Sequence, residues 1–219
     1  AREQYPKPPF PRQPQPVPGE AREMDPKPDH GEDSYQGSGK LKGRKALITG
    51  ADSGIGRAAA IAYAREGADV ALSYLPSERK DAAEVIALIE AEGRKAIDLP
   101  GDITDEDWCR QMVEQAVSEL GGLDILVINA GRQQYREDIS QVTSEDFDKT
   151  LKTNLYAMHW IAQAAVPHLP AGRPGGGGRR RGEHVGLRRH RECGGCLQPP
   201  VVHDGELDVG ATEVDAELH

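Results

Sequence analysis

Cysteine and aromatic residues are scarce in this sequence of 219 residues. The three cysteines, Cys109, Cys193 and Cys196, are too few for the disulfide framework of a small secreted protein. Charged residues are abundant but unbalanced, and the formal net charge is −9 at pH 7. This acidic balance argues against a general affinity for nucleic acid.

Long apolar runs are missing as well. No segment is apolar over enough residues to cross a bilayer. The N-terminus carries prolines and charges where a signal peptide has its apolar core. We therefore expect a cytoplasmic protein that has no membrane partner.

Composition divides the chain into three regions. Residues 1–41 mix proline with charged residues and end in a run rich in glycine and serine, which predicts a disordered arm because proline favours extended, unpaired backbone. The alternative is an arm that lies across a neighbouring subunit, anchored by Tyr5, Phe10 and Tyr35. Residues 42–171 carry regular apolar patterns, whereas residues 172–219 are rich in glycine and arginine and are predicted to be disordered.

The most informative stretch is residues 46–57, where an apolar run leads into closely spaced glycines and then into small residues. This pattern predicts a strand, a tight loop and a helix. Residues without a β-carbon let backbone N–H groups approach a pyrophosphate, and the positive end of the helix dipole points there. An ordinary glycine-rich turn is the alternative. The predicted dinucleotide-binding residues of this loop are Gly50, Ser53, Gly54, Ile55 and Gly56.

Strand and helix patterns alternate through the middle region. Apolar runs predict further strands over residues 68–74, 95–99 and 123–128, with amphipathic helices between them. The predicted inner faces are Ile55, Ala58, Ala59, Ala62 and Tyr63 in the first helix, and Phe147, Leu151, Leu155, Met158, Ala162 and Val166 in a long last helix capped at Thr143. We interpret Cys109 as structural. The fold class is therefore α/β, a Rossmann-type doubly wound parallel sheet with helices on both faces, which we expect to be C-terminally incomplete.

The end of the second predicted strand bears on the choice of cofactor. Dinucleotide folds place an acidic residue there to bind the ribose 2′-hydroxyl, but this strand ends at Tyr74 and Leu75. The missing carboxylate leaves room for a 2′-phosphate and favours NADP over NAD. No arginine stands at the strand end to bind such a phosphate, so both cofactors stay open.

Three motifs in register resemble the short-chain dehydrogenase/reductase family. They are the Thr-Gly-x-x-x-Gly-x-Gly loop that begins at Thr49, the Asn-Ala-Gly sequence that begins at Asn129, and Asn154 in the last helix. The resemblance covers residues 42–170 and extends to stress-associated bacterial members that carry a similar proline-rich arm. It implies an NAD(P)-dependent oxidoreductase that transfers hydride between a nicotinamide cofactor and an alcohol or carbonyl substrate. Intact relatives are expected to be homo-oligomers.

The same resemblance implies roles for further residues. Asp102, followed by Ile103, matches the position that contacts the adenine amino group, although a turn residue beside a helix cap at Thr104 is the alternative. Asn129 would brace the sheet, while Ala130 and Gly131 would pass beneath the adenosine ribose. Asn154 matches the catalytic asparagine that holds a water of the proton relay; the alternative is a helix-interior asparagine that bonds to a neighbour.

The family pattern stops after the last predicted helix. Family members continue with a catalytic serine and then Tyr-x-x-x-Lys, but here the last serine is Ser144, the last lysine Lys152 and the last tyrosine Tyr156. The glycine- and arginine-rich text beyond this point is what GC-rich DNA yields out of frame, so we hypothesise a frameshift near Ala171. We expect this chain to be inactive, and the alternative function is a non-catalytic nucleotide-binding or partner-binding pseudoenzyme.

Two bolder interpretations concern the C-terminal region. Cys193 and Cys196, with His190 and His203, supply ligand types that zinc accepts, but their spacing matches no zinc motif that we recognise, and we expect no metal. The arginines within residues 179–191 would attract phosphates, but they are interspersed with acids and lack stacking aromatics. We therefore expect no nucleic-acid partner.

Overall fold

A computed structural model of the protein describes residues 7–15, 19 and 21–170, together with the backbone of residues 202–203 and 206–207. The last four residues form a short antiparallel pair, β5 (Val202–His203) with β6 (Glu206–Leu207), which is separate from the main sheet. The expectations about Tyr5, the arginine cluster and the possible zinc ligands lie outside the described side chains.

The main sheet contains four parallel strands in the order β3-β2-β1-β4. They are β1 (Lys45–Thr49), β2 (Asp69–Tyr74), β3 (Ala96–Pro100) and β4 (Ile125–Val127). Each predicted strand is confirmed to within two residues at its ends. The order 3-2-1-4 is the first part of the dinucleotide-binding arrangement, in which the order reverses between β1 and β4 and a crevice opens at the carboxyl ends of those strands.

Helices cover both faces of this sheet. They are α1 (Gly54–Arg65), α2 (Arg79–Ala91), α3 (Glu106–Leu120), α4 (Ser144–Leu151) and α5 (Ala157–Ala165). Ala46 and Ile48 of β1 pack with α1 and α2, whereas Leu47 between them packs with α3 and α5. This alternation follows from the two-residue period of a strand, and it confirms the doubly wound class. No helix in the described part of the chain is long and apolar enough to cross a membrane.

The buried face of α1 differs from the predicted one. Ile55, expected inside, is 65% exposed. The buried positions are Gly56, Arg57, Ala60, Ile61, Tyr63 and Ala64. The reason is local: the Gly56 side of the helix faces the carbonyl of Gly50, so Ile55, about 100° away around the helix, points to solvent.

The long last helix is interrupted, which also changes its face. A π-helical turn (Lys152–Tyr156) separates α4 from α5, and such a turn inserts an extra residue into the helical repeat. The buried positions of α5 are Ala157, Ile161, Ala162 and Ala165, whereas Phe147, Leu155 and Val166, expected inside, are exposed. The cap at Thr143 is confirmed, because its side chain accepts a hydrogen bond from the backbone N–H of Asp146.

Part of the N-terminal arm is bound to the domain. Residues 21–41 are attached to the domain, unlike the free tail expected from their composition, although most of their side chains remain exposed. Ala21 and Leu41 are buried, and the Ala21 N–H donates to the Asp81 carboxylate on α2 at 2.8 Å. Charged contacts with α1 and α2 hold this segment, and proline content does not reveal such contacts. Residues 7–15 are largely exposed, including Phe10.

Candidate dinucleotide-binding site

The glycine loop connects the carboxyl end of β1 to α1. The N–H of Gly50 donates to the carbonyl oxygen of Ser73 on β2 at 2.7 Å, which ties the start of the loop to the neighbouring strand. Gly50 and Gly54 both have positive φ angles, +61° and +52°, which side-chain-bearing residues rarely adopt. The predicted strand, loop and helix are therefore present, and the loop lies where the sheet order reverses.

Gly56 lies in close contact with the loop and with Asn129, and its predicted role in binding a dinucleotide stays a prediction. A β-carbon at this position would lie 1.9 Å from the carbonyl oxygen of Gly50 and 2.7 Å from Nδ2 of Asn129. A carbon atom that is not bonded to these atoms cannot approach them so closely. Glycine at position 56 is therefore needed for the helix to pack against the loop and against the end of β4. Its side of the helix does not face an open ligand site.

Gly54 is the glycine that faces open space. A β-carbon there would meet no atom within 4 Å. The preceding residue, Ser53, has an extended backbone, and its side chain makes no capping hydrogen bond to α1. Because the first N–H groups of a helix have no partner inside it, this end of α1 offers donors and positive dipole charge to an anion. A diphosphate group fits this surface chemically.

Thr49, Asn129 and Ala130 lock the ends of β1 and β4 together. The Thr49 hydroxyl accepts hydrogen bonds from the N–H groups of Asn129 at 3.0 Å and Ala130 at 3.1 Å. The Asn129 side chain donates to the carbonyl oxygens of Thr49 and Gly50 at 3.1 and 3.2 Å. Asn129 thus makes the bracing contacts that the resemblance implies. The sequence signal for this role of Thr49 is its place in the motif, directly before Gly50.

Asn154 lies in the π-helical turn and holds the segment that follows β4. Its Oδ1 accepts from the backbone N–H of Arg132 at 2.7 Å, and its Nδ2 donates to the Arg132 carbonyl at 2.8 Å. A β-carbon on Gly131 would lie 3.6 Å from the same Oδ1. The structure therefore brings Asn154 beside Asn129, Ala130 and Gly131. Its role in a proton relay stays a prediction.

Tyr74 does not join the loop residues through its side chain. Its ring is buried, and its hydroxyl donates to Oδ1 of Asp98 on β3. Burial, followed by the hydrogen bond to Asp98, raises the pKa of Tyr74. Arg79 donates to the other oxygen of Asp98 at 3.2 Å, so this arginine near the end of β2 is already paired with a carboxylate.

Asp102 and Ile103 occupy separate environments at the end of β3. Asp102 is exposed, and its Oδ1 accepts from the N–H of Thr104 at 2.9 Å, which is the predicted turn contact. The side chain of Ile103 is buried against α3. The expected cap at Thr104 is wrong, because Asp105 caps α3 by accepting from the N–H groups of Asp107 and Trp108. Cys109 is buried behind this cap, as a structural residue would be, and burial raises its pKa to about 12.

Two carboxyl groups near the loop were missed from the sequence. Asp52 lies within the loop and is 2% exposed, and burial raises its pKa above the usual range. Glu78 follows the end of β2, and burial together with the charge of Asp52 raises its pKa to about 7. The Glu78 carboxylate accepts a hydrogen bond from the N–H of Leu75, three residues earlier. This three-residue spacing is that of a capping box, and it is the sequence signal that would have located Glu78.

Comparison with known proteins adds the evolutionary relationship. The family model described as short chain dehydrogenase matches residues 44–177. That span exceeds half of the chain. The chain belongs to the short-chain dehydrogenase family.

Several curated and solved proteins are similar to this chain. An uncharacterized oxidoreductase of Bacillus subtilis, YhxD, is 58% identical over 163 residues, which are 74% of this chain and 54% of that protein. A short-chain dehydrogenase from Burkholderia cenocepacia, solved with NADP, has a TM-score of 0.57 and 42% identity over 60% of this chain and 53% of its own. One from Mycobacterium paratuberculosis, bound to NAD, has a TM-score of 0.54 and 36% identity over 59% of this chain and 51% of its own. The chain spans about half the length of the curated relatives it matches.

Proposed function

We propose that this chain binds a nicotinamide dinucleotide at the glycine loop, as the binding part of an NAD(P)-dependent oxidoreductase. The observation that carries the proposal is the open space at Gly54, next to the uncapped N-terminus of α1 and at the point where the sheet order reverses. The N–H groups of Gly54, Ile55 and Gly56 would hold the diphosphate. The segment from Asn129 to Gly131 would lie on the other side of the crevice.

NADP is the form that we favour. Tyr74 supplies no carboxylate at the end of β2, and a Burkholderia relative was solved with NADP. Against this, Arg79 is paired with Asp98, and Glu78 adds a carboxyl group just after the end of β2. A Mycobacterium relative was solved with NAD. Parallel titrations with both forms are therefore part of the test.

The chemistry proposed for the family is hydride transfer between the cofactor and a small alcohol or carbonyl compound, and the bound nicotinamide supplies the hydride. In this chain the part that the residues perform is binding and orientation. Thr49, Asn129 and Asn154 hold the ends of β1, β4 and the π-helical turn in fixed relation. A cytoplasmic location, a homo-oligomeric state of the intact relatives, and the absence of nucleic-acid and membrane partners belong to the same proposal.

A non-catalytic nucleotide-binding protein is the second candidate for this chain. The sequence favours it, because no serine, lysine or tyrosine follows Tyr156 to supply the family's catalytic serine and Tyr-x-x-x-Lys. Asn154 is then the one catalytic position that is filled. Binding of a dinucleotide without turnover would distinguish this candidate from an active oxidoreductase.

Titration calorimetry with NADP and with NAD tests the binding proposal. We expect Gly54→Ala to abolish measurable binding, because its methyl group enters the space proposed for the diphosphate. Gly93→Ala is the matched control: Gly93 also has a positive φ, +68°, and open surroundings, but it lies at the end of α2. Both changes cost backbone strain of roughly 1–2 kcal/mol, so a selective loss of binding identifies the loop. Equal binding by both variants would contradict the assignment.

A further inference from the structure

The segment from residue 21 to residue 41, here called the docked arm, runs along α1 and contacts both of its ends. At the N-terminal end, Glu32 of the docked arm accepts from Nε of Arg57 at 2.9 Å. Glu84 of α2 accepts from Nη2 of Arg57 at 3.0 Å, and Lys27 of the docked arm pairs with the same Glu84 at 3.2 Å. One buried guanidinium therefore links the docked arm, α1 and α2.

The C-terminal end of α1 is held by a second set of contacts. The carboxylate of Glu66 accepts hydrogen bonds from the Tyr35 hydroxyl and from the N–H groups of Ser38 and Lys40, the last two at 3.0 and 2.8 Å. Arg65 donates to the backbone carbonyls of Gly31, Glu32 and Tyr35. A carboxylate at the negative end of a helix dipole is unfavourable without such donors. The docked arm supplies them.

Arg57 connects the docked arm to the glycine loop. It directly follows Gly56, the residue whose close packing on Gly50 sets the position of α1. Its side chain is 2% exposed, and its Nη1 has no hydrogen-bond partner among the described residues. Loss of Glu32 would leave this buried guanidinium with Glu84 as its carboxylate partner, and a buried charge that is less completely compensated is unfavourable. The rotamer of Arg57, and with it the first turn of α1, therefore depends on Glu32.

We propose that the docked arm is a positioning element of the dinucleotide site, and that it acts through the Glu32–Arg57 contact on the N-terminus of α1. This inference rests on the proposed dinucleotide binding. Helix α1 is held at both ends by a segment outside the sheet, so the orientation of its N–H groups is coupled to docking of that segment. Because coupling between two sites is reciprocal, a bound dinucleotide should also stabilise the docked arm.

The test compares two variants of the full chain. Glu32→Gln removes the negative charge that faces Arg57. Glu92→Gln is the control: Glu92 lies at the end of α2, its carboxylate contacts Arg65 of α1 at 3.0 Å, and its replacement leaves Glu32 in place. Affinities for NADP and NAD are measured by calorimetry at a temperature where circular dichroism shows each variant folded. We expect Glu32→Gln to weaken binding by at least about fivefold, the lower end of typical couplings. Glu92→Gln should change it by less than about twofold.

Amide hydrogen exchange of the unaltered chain supplies a second measurement. Adding dinucleotide should slow exchange of the Ser38 and Lys40 amides, which are bonded to Glu66 at the opposite end of α1 from the glycine loop. A merely structural arm would not respond. Unchanged affinity of folded Glu32→Gln, or unchanged exchange, overturns the inference and leaves the proposed function intact. Failure of the unaltered chain to bind either dinucleotide overturns the proposed function and this inference with it.

Discussion

The hydroxyl group of Thr49 supports the carboxyl end of β4. It accepts from two successive N–H groups, those of Asn129 and Ala130, and the residue is fully buried. Among the described residues, no second hydrogen bond is seen for these two partly buried N–H groups. A buried donor without a partner costs about 1–3 kcal/mol.

We expect Thr49→Val to lower the free energy of unfolding by about 1–3 kcal/mol, because valine keeps the shape but offers no acceptor. Urea denaturation followed by circular dichroism measures the change. Thr49→Ser keeps the hydroxyl and serves as the control, with a smaller loss. If valine and serine variants prove equally stable, the hydroxyl has no part in holding β4.

Gly56 is the second residue on which the site depends. Alanine has the higher helix propensity by about 1 kcal/mol, so Gly56→Ala should stabilise α1 if propensity alone mattered. The β-carbon of alanine at this position would lie 1.9 Å from the carbonyl oxygen of Gly50. This clash predicts the opposite effect, a loss of about 1–3 kcal/mol in stability from overpacking. Thermal denaturation measures which effect dominates, with Ala58→Gly, on a less buried side of α1, as the propensity control. A Gly56→Ala variant more stable than the unaltered chain would remove the packing argument.

At the scale of elements, the docked arm makes the stability of α1 dependent on pH. The hydrogen bond from Tyr35 and the N–H of Lys40 lower the pKa of Glu66 to about 2 from its ordinary 4.5. The unfolded chain therefore binds this proton more readily than the folded chain does. The contribution of Glu66 is complete above its unfolded pKa and is lost as the pH falls from about 4.5 towards 2.

Glu66→Gln should therefore be less stable than the unaltered chain at neutral pH, and the difference should shrink as the pH is lowered. Urea denaturation at several values between pH 7 and about 3 measures it. Asp148→Asn is the control, since Asp148 pairs with Lys152 on the exposed side of the last helix, away from the docked arm. A stability difference that stays constant through acidic pH would show that Glu66 is not held as the structure indicates.

At the scale of the whole molecule, β4 forms the edge of the described sheet, and the last helix exposes apolar side chains. Phe147, Leu155 and Tyr156 are 57%, 52% and 46% exposed. In a six-stranded order of 3-2-1-4-5-6, further strands follow β4. Unpaired strand edges and apolar patches of this kind favour association.

Turnover by the chain as given should not exceed background. A positioned proton donor contributes about a hundred- to ten-thousandfold in rate, and no residue after Tyr156 is a tyrosine. Assays with NADP and NAD against a panel of small alcohols and aldehydes measure this.

The comparison for that assay is a version of the chain whose reading frame is restored after Ala171. Activity in the restored version alone would support the frameshift hypothesis and the missing serine, tyrosine and lysine as its cause. Equal activity in both versions would show that those residues are not required. The two proteins share residues 1–171, so a difference between them arises beyond the described domain.

The sequence by itself determined the elements and their order. Apolar runs of strand length, helical spacing and glycines that permit positive φ are properties of residues close together in the chain, and so β1 to β4, α1 to α3 and the loop at Gly50 and Gly54 were predictable. The Asn-Ala-Gly motif that begins at Asn129 and the asparagine at position 154 were identified because both lie in register with that loop. These features fixed the family and the location of the candidate site.

Tertiary structure decided which side of each helix is buried and which residue serves which purpose. The Cα of Gly56 packs on Gly50, Asn154 binds the backbone of Arg132, and the proline-rich arm docks through Glu32 and Glu66. Each of these depends on distances between residues that lie far apart in the sequence. Local patterns carry no information about such distances, because they are set by how the helices and the arm pack on the finished sheet.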